Sequence, residues 1–136
     1  MKIAVMTDST AYIPEDVRKE HNIHLVPLSV VFGEESYREE IDITTEEFYE
    51  KMRNAKELPT TSQPSIGVVT EKLEELAKEY DAVVSIHLSS GISGTYQAVV
   101  SAGEMVDSIK VYAYDSELSC MAQGFYTIEA AEMAKA

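Results

Sequence analysis

The sequence predicts an α/β fold of three layers: a mostly parallel sheet with helices on both faces. Three observations predict it. Short apolar, β-branched runs (residues 2–6, 23–32, 82–88 and 109–113) alternate with stretches of helical periodicity. Three of those runs end in small polar clusters, Thr7-Asp8-Ser9, Ser89-Ser90 and Asp115-Ser116. Parallel strands would bring these clusters to one edge of the sheet. No repeat, low-complexity tract or linker interrupts the 136 residues, which is one domain's length and enough for a real core.

Taken in order, residues 2–6 form the first strand and Thr7 to Thr10 a polar turn. Pro14 suits the first turn of a helix that reaches His21. Residues 23–32 alternate and are β-branched, predicting a strand. Pro27 has no N–H to give a ladder, so that strand bends or lies at an edge there. Gly33 to Ser36 reads as a turn, and 36–43 as irregular or hairpin-like. Thr44 and Glu47 have capping-box spacing, predicting a helix to about Asn54 with Phe48, Met52 and Ala55 inward. Residues 57–65 form a polar loop stiffened by Pro59 and Pro64. Ser65 caps the next helix, whose inner face is Val69, Leu73, Leu76, Ala77 and Tyr80. Residues 82–88 are a buried strand and 88–95 a loop rich in hydroxyls and glycines. Its helix carries Val99, Val100, Gly103 and Val106 on one face. Ile109 to Ala113 is the last strand. A final helix with Cys120, Met121, Gly124, Phe125 and Ile128 runs to the last residue.

Composition narrows the function. The net charge of −13 argues against nucleic acid and anionic membrane surfaces as partners. One cysteine allows no internal disulfide framework and fits a reducing compartment. The apolar start is too short for a signal peptide, and no run is long enough to span a bilayer, so a cytoplasmic location is expected. The acidic stretch from Glu34 to Glu47 lacks calcium-loop spacing and reads as a solvated face. Cys120 reads as a core residue. His21 and His24 read as solvated or capping, and His87 as a structural residue near Ser89.

The loop Leu88-Ser89-Ser90-Gly91-Ile92-Ser93-Gly94-Thr95 has the chemistry of an anion cradle. Glycines let backbone approach a ligand, and a helix N-terminus adds unpaired N–H groups and a positive dipole end. A carboxylate or a phosphate would fit it. The nucleotide-binding lysine after Gly94 is missing, residues 6–10 carry no dinucleotide glycines, and the hydrolase Gly-x-Ser-x-Gly ends wrongly at Thr95.

Four blocks, Thr7-Asp8-Ser9-Thr10, Thr61-Ser62-Gln63-Pro64-Ser65, Ser89 to Tyr96 and Asp115-Ser116, resemble the DegV family in order and spacing over nearly the whole chain. Ile92 stands where leucine is usual, and His87 where an apolar residue or proline is expected. The resemblance implies a fatty-acid-binding protein with no catalytic residues, no metal and no cofactor. Family members hold a long-chain fatty acid in a tunnel between two domains. Some serve as the binding subunit of bacterial fatty acid kinase, whose separate ATP-using partner phosphorylates the bound carboxylate. Matched by position, Thr61 and Ser62 belong to the first carboxylate-binding loop. Ser93, with the backbone around Gly94 and Thr95, belongs to the second. Asp8, Ser9, Ser89 and Ser116 support the site. Family members are about two domains long. Residues 1–136 are therefore expected to be the amino-terminal domain alone, without the domain that closes the tunnel. Its open apolar edge is expected to favour self-association. Two other readings stay open: an enzyme acting on a small carboxylated or phosphorylated substrate with Ser93 as nucleophile or anion clamp, and a protein-interaction domain without a ligand.

Overall fold

A computed structural model describes residues 1–136. Four strands, β1 (Ile3–Asp8), β2 (Ile23–Val26), β6 (Ala82–His87) and β7 (Lys110–Asp115), form one wholly parallel sheet in the order β2-β1-β6-β7. The expected three layers follow. Helices α3 (Ile66–Leu76) and α4 (Thr95–Met105) cover one face, over a core that includes Met6, Val26, Val69, Leu73, Leu76, Val83 and Val99. Helices α1 (Glu15–Glu20) and α5 (Cys120–Lys135) cover the other, over Val5, Ala11, Ile13, Ile23 and Ala131. No helix is long and apolar enough to cross a membrane.

A second, three-stranded antiparallel sheet was not foreseen. It joins β3 (Ser29–Phe32), β4 (Glu35–Arg38) and β5 (Thr60–Ser62) in the order β4-β3-β5. The run 23–32 is therefore two strands in two sheets. Pro27 and Leu28 divide it, and β2 lies at the edge of the parallel sheet, as the missing N–H of Pro27 suggested. Gly33, at φ +62°, turns the chain from β3 into β4, so the hairpin joins 29–32 to 35–38 and lies earlier than the irregular or hairpin-like stretch expected at 36–43. The supposed polar loop at 57–65 contains β5, whose backbone pairs with β3.

The caps agree with the sequence. Thr44 and Glu47 form both bonds of a capping box on α2 (Thr45–Asn54), and Ser65 Oγ accepts from the Val68 N–H at the start of α3. Phe48, Met52 and Ala55 are the inward side of α2, but only half-buried, and Phe48 packs on Phe32 at 5.9 Å. In α4, Val99 and Val106 are buried as expected; Ala98 and Ala102 complete the face, while Val100 and Gly103 are only partly covered.

The inner face of α5 differs most from expectation. Its buried residues are Gln123, Gly124, Thr127 and Ala131. Phe125 is exposed, and so is Cys120, which is not a core residue but the first residue of the helix, at φ +56°. Apolar residues lie all around this helix, so periodicity does not mark the side that packs. His24 is neither a cap nor freely solvated. Burial, with the charge of Lys72, pushes its pKa down, and its ring meets Tyr80 edge-on at 5.5 Å. His21 is the C-cap of α1.

Candidate functional site

Parallel pairing places the three polar clusters together. Thr7 pairs with Ile86, and His87 with Asp115, so the strand ends carrying Asp8, His87 and Asp115 lie side by side. The chain leaves β1 toward β2 on one side and reaches β6 on the other. The gap between β1 and β6 is thus the switch in strand order, where open α/β sheets bind ligands outside the strand ends.

The loop from Leu88 to Thr95 leaves the sheet at this point and folds on itself. The Ser89 carbonyl accepts from the N–H groups of Ile92 (3.1 Å) and Ser93 (3.2 Å). Ser89 Oγ accepts from Gly91 N–H, and Ser89 N–H donates to the Leu118 carbonyl at 2.8 Å. The loop is further tied to Asp115, which accepts from Ser90 N–H and Ser90 Oγ. The hydrogen bond from Ser90, chiefly, holds the Asp115 carboxyl below the usual range. Ser116 is buried, donates its N–H to the His87 carbonyl, and accepts from Leu118 N–H at its Oγ. The hydroxyls of Ser89 and Ser116 are thus both engaged in bonds within their own turns.

Ser93 does not cap its helix in the ordinary way. The N-cap position is Gly94, which has no side chain to offer. Ser93 Oγ lies 2.8 Å from Thr95 Oγ1 and 3.2 Å from Thr95 N. The N–H groups of Gly94, Tyr96 and Gln97 find no acceptor within the protein. Thr95 is itself fully buried, so the partly exposed Ser93 hydroxyl and the unpaired N–H donors are what stand open at the positive end of α4, which suits a carboxylate.

The loop carrying Thr61 and Ser62 reaches this place through a residue the sequence reading passed over. A Cβ at Gly94 would overlap the Gln63 carboxamide, so only glycine lets Gln63 lie against the start of α4. Thr61 pairs with Val30 and Ser62 with Ser29, which puts the two side chains on opposite faces of the small sheet. Both are exposed, and Thr61 Oγ1 has no partner within the protein.

Ser9 is not part of this cluster. Its hydroxyl donates to Glu39 Oε2 at 2.6 Å and accepts from Leu28 N–H at 2.9 Å, fixing the approach to β3. Glu39 breaks the expectation of a solvated acidic face. Burial pushes its carboxyl above the ordinary range, the charge of Asp8 adds to this, and the Ser9 hydrogen bond opposes it. A folded-state pKa above the unfolded value means that stability is lost as pH rises from the unfolded pKa, about 4.3. Glu39→Gln is therefore expected to be more stable than the parent at pH 7 and to gain nothing below pH 4, read as urea midpoints. Glu39 also lines a cavity of about 270 Å³ with Tyr12, Val30, Ile43, Phe48 and Tyr49, which none of Thr61, Ser62, Ser93, Gly94 or Thr95 borders.

Asp8 has no exposed surface. Its Oδ2 accepts from His87 Nδ1 (2.9 Å) and Leu88 N–H (3.1 Å), and its Oδ1 from Thr10 N–H (2.9 Å) and the Thr10 hydroxyl. Burial pushes the Asp8 carboxyl up. The hydrogen bond and charge of His87, then Thr10 and the Leu88 N–H, outweigh burial and leave its pKa below the usual value. His87 Nε2 meets Ser85 Oγ, not Ser89. Ser85, His87 and Asp8 have the order of a hydrolytic triad, but all three are fully buried, so no substrate reaches Ser85. His87 is fully buried and bonded to Ser85 and Asp8, and it makes no hydrogen bond to Ser93.

A family described as "Uncharacterised protein, DegV family" matches residues 2–136. The chain is 60% identical over 135 residues to Protein DegV of Bacillus subtilis, covering 99% of this chain and 48% of that protein. It thus spans about half the length of the curated relatives it matches. The crystal structure of DegV from Bacillus subtilis, described as a fatty acid binding protein, superposes with a TM-score of 0.96 over 99% of this chain and 48% of that one, at 60% identity. A structure from Thermus thermophilus, described as fatty acid binding of a DegV family protein, has a TM-score of 0.90 at 32% identity, over 99% of this chain and 48% of its own.

Proposed function

Because the chain belongs to the DegV family, we propose that it binds a long-chain fatty acid, whose carboxylate sits against Ser93 and the backbone of Gly94 and Thr95 at the start of α4, with the neighbouring loop supplying one of its two hydroxyls, Thr61 or Ser62, at its side. One observation carries the reading: unpaired donors and exposed apolar side chains meet at one edge. Ile92, 71% exposed, precedes Ser93, and the partly exposed Leu118 accepts the Ser89 N–H through its carbonyl. Ile66, at the start of α3 and three residues from Gln63, is also exposed. A carboxylate needs charge-assisted donors, and an acyl chain needs apolar contact; here the two adjoin. Each CH₂ removed from water stabilises the complex by about 0.8 kcal/mol, so the chain supplies most of the affinity and the loop sets its direction.

Residues 1–136 would thus form the carboxylate-binding half of a longer acyl site. Presentation of the bound carboxylate to an ATP-using kinase is the further step that family membership suggests. The open edge also suits self-association when no lipid covers it. Ser93→Ala tests the assignment. It removes one charge-assisted hydrogen bond, worth about 1.5–3 kcal/mol, so oleate affinity is expected to fall by about tenfold or more with little change in melting temperature. Parent-like affinity in Ser93→Ala would place the carboxylate elsewhere.

A further inference from the structure

The buried polar residues beneath the loop form one connected series. Ser85 Oγ meets His87 Nε2, and His87 Nδ1 donates to Asp8, whose ionised carboxylate can only accept. Thr10 Oγ1 stands between Asp8 Oδ1 and Gln123 Oε1, 3.1 Å from the latter. Gln123 Nε2 donates to Thr7 Oγ1 at 3.0 Å, and Thr7 Oγ1 donates to the Ile86 carbonyl at 2.7 Å. Thr7, Asp8, Ser85, His87 and Gln123 have no exposed surface. The series joins β1, β6 and α5 at the strand ends. It closes on the Leu88 N–H, the first backbone group of the hydroxyl loop.

We propose that His87, held at both ring nitrogens by Ser85 and Asp8, is a positioning residue that fixes where the loop bearing Ser93, Gly94 and Thr95 leaves the sheet. Two features favour this over plain core filling. Apolar residues of the same volume would fill the space at no desolvation cost, whereas a satisfied polar series has directional demands and specifies one geometry. The loop also hangs from the anchored point: Leu88 is bonded to Asp8, Ser89 to Leu118, and the Ser89 carbonyl carries Ile92 and Ser93. A shift at Leu88 would pass to Ser93 through these bonds.

The inference rests on the proposed carboxylate site, but its test has an arm that does not. The backbone amide resonances of Gly94 and Thr95 are recorded without ligand, oleate affinity is measured, and the urea midpoint gives stability. In His87→Leu, the Gly94 and Thr95 resonances are expected to move or broaden and the oleate Kd to rise about tenfold. In His87→Asn, whose amide donates toward Asp8 in place of Nδ1, Kd should return to within about threefold of the parent. Thr127→Val is the control: it removes a buried hydroxyl bonded to the Gln123 carbonyl, outside the series, and should leave the Gly94 and Thr95 resonances in place. If His87→Leu does not fold, Ser85→Ala frees one side of the ring and is expected to broaden the same two resonances. Unmoved Gly94 and Thr95 resonances with a parent-like Kd would overturn the proposal. A parent that binds no oleate, yet whose loop resonances move in His87→Leu, would overturn the carboxylate reading and leave the positioning role standing.

Discussion

Asp8→Ala is expected to lower stability by about 3–5 kcal/mol at pH 7, because it strands the His87 Nδ1–H and the Leu88 N–H in the core without an acceptor. That is a large part of the 5–15 kcal/mol of a typical domain, so the urea midpoint should fall by one molar or more. The effect has a sign in pH. The Asp8 pKa is lowered on folding, so its contribution is full above the unfolded carboxyl value of about 4 and is lost as pH falls through the folded value. The parent should therefore lose stability below pH 4 more steeply than Asp8→Ala, and the two midpoints should converge there. Parallel pH curves would mean that Asp8 is not ionised in the folded protein.

Leu73→Ala should cost about 2–5 kcal/mol, from lost burial and the cavity left between α3 and the sheet. Leu73 has no exposed surface, and neither have Met6, Val69, Val83 and Val99 of the same core cluster. Tyr49→Ala on α2 is the comparison. Tyr49 is about half exposed and α2 buries no residue fully, so its loss should stay well under that of Leu73. Equal losses in urea midpoint would show that α2 and the small sheet belong to the same cooperative core as α3.

The parallel sheet was legible because its strands are apolar runs bounded by turn residues, and Leu73 and Val69 fall at helical spacing. The small sheet was hidden for the opposite reason. Glu35-Ser36-Tyr37-Arg38 and Thr60-Thr61-Ser62 have no hydrophobic alternation. They pair with β3 through backbone bonds that any side chain permits. In the candidate site, the hydroxyl loop and its place at the strand ends beside Asp115 and Ser116 could be read from residue type and order. Gln63 and Gln123 could not. A glutamine in a polar loop or in a mixed helix looks solvated, and only the fold shows one lying on Gly94 and the other sealed beside Thr7. Cys120 misled because a small apolar residue at a helix start resembles a core position, whereas α5 turns Gln123 and Thr127 inward. Asp8 pointed to the strand edge, but its burial depends on His87, 79 residues away in sequence.

The central claim is that an acyl carboxylate sits at the start of α4. Titration of the isotope-labelled chain with oleate, and in parallel with methyl oleate, tests it most directly. The charged ligand should move the backbone N–H resonances of Gly94, Thr95 and Tyr96, and the ester, with the same chain and no charge, should move them far less. Equal shifts from both ligands, or shifts confined to the cavity at Val30, Ile43 and Phe48, would contradict the assignment and move the lipid site to the small sheet.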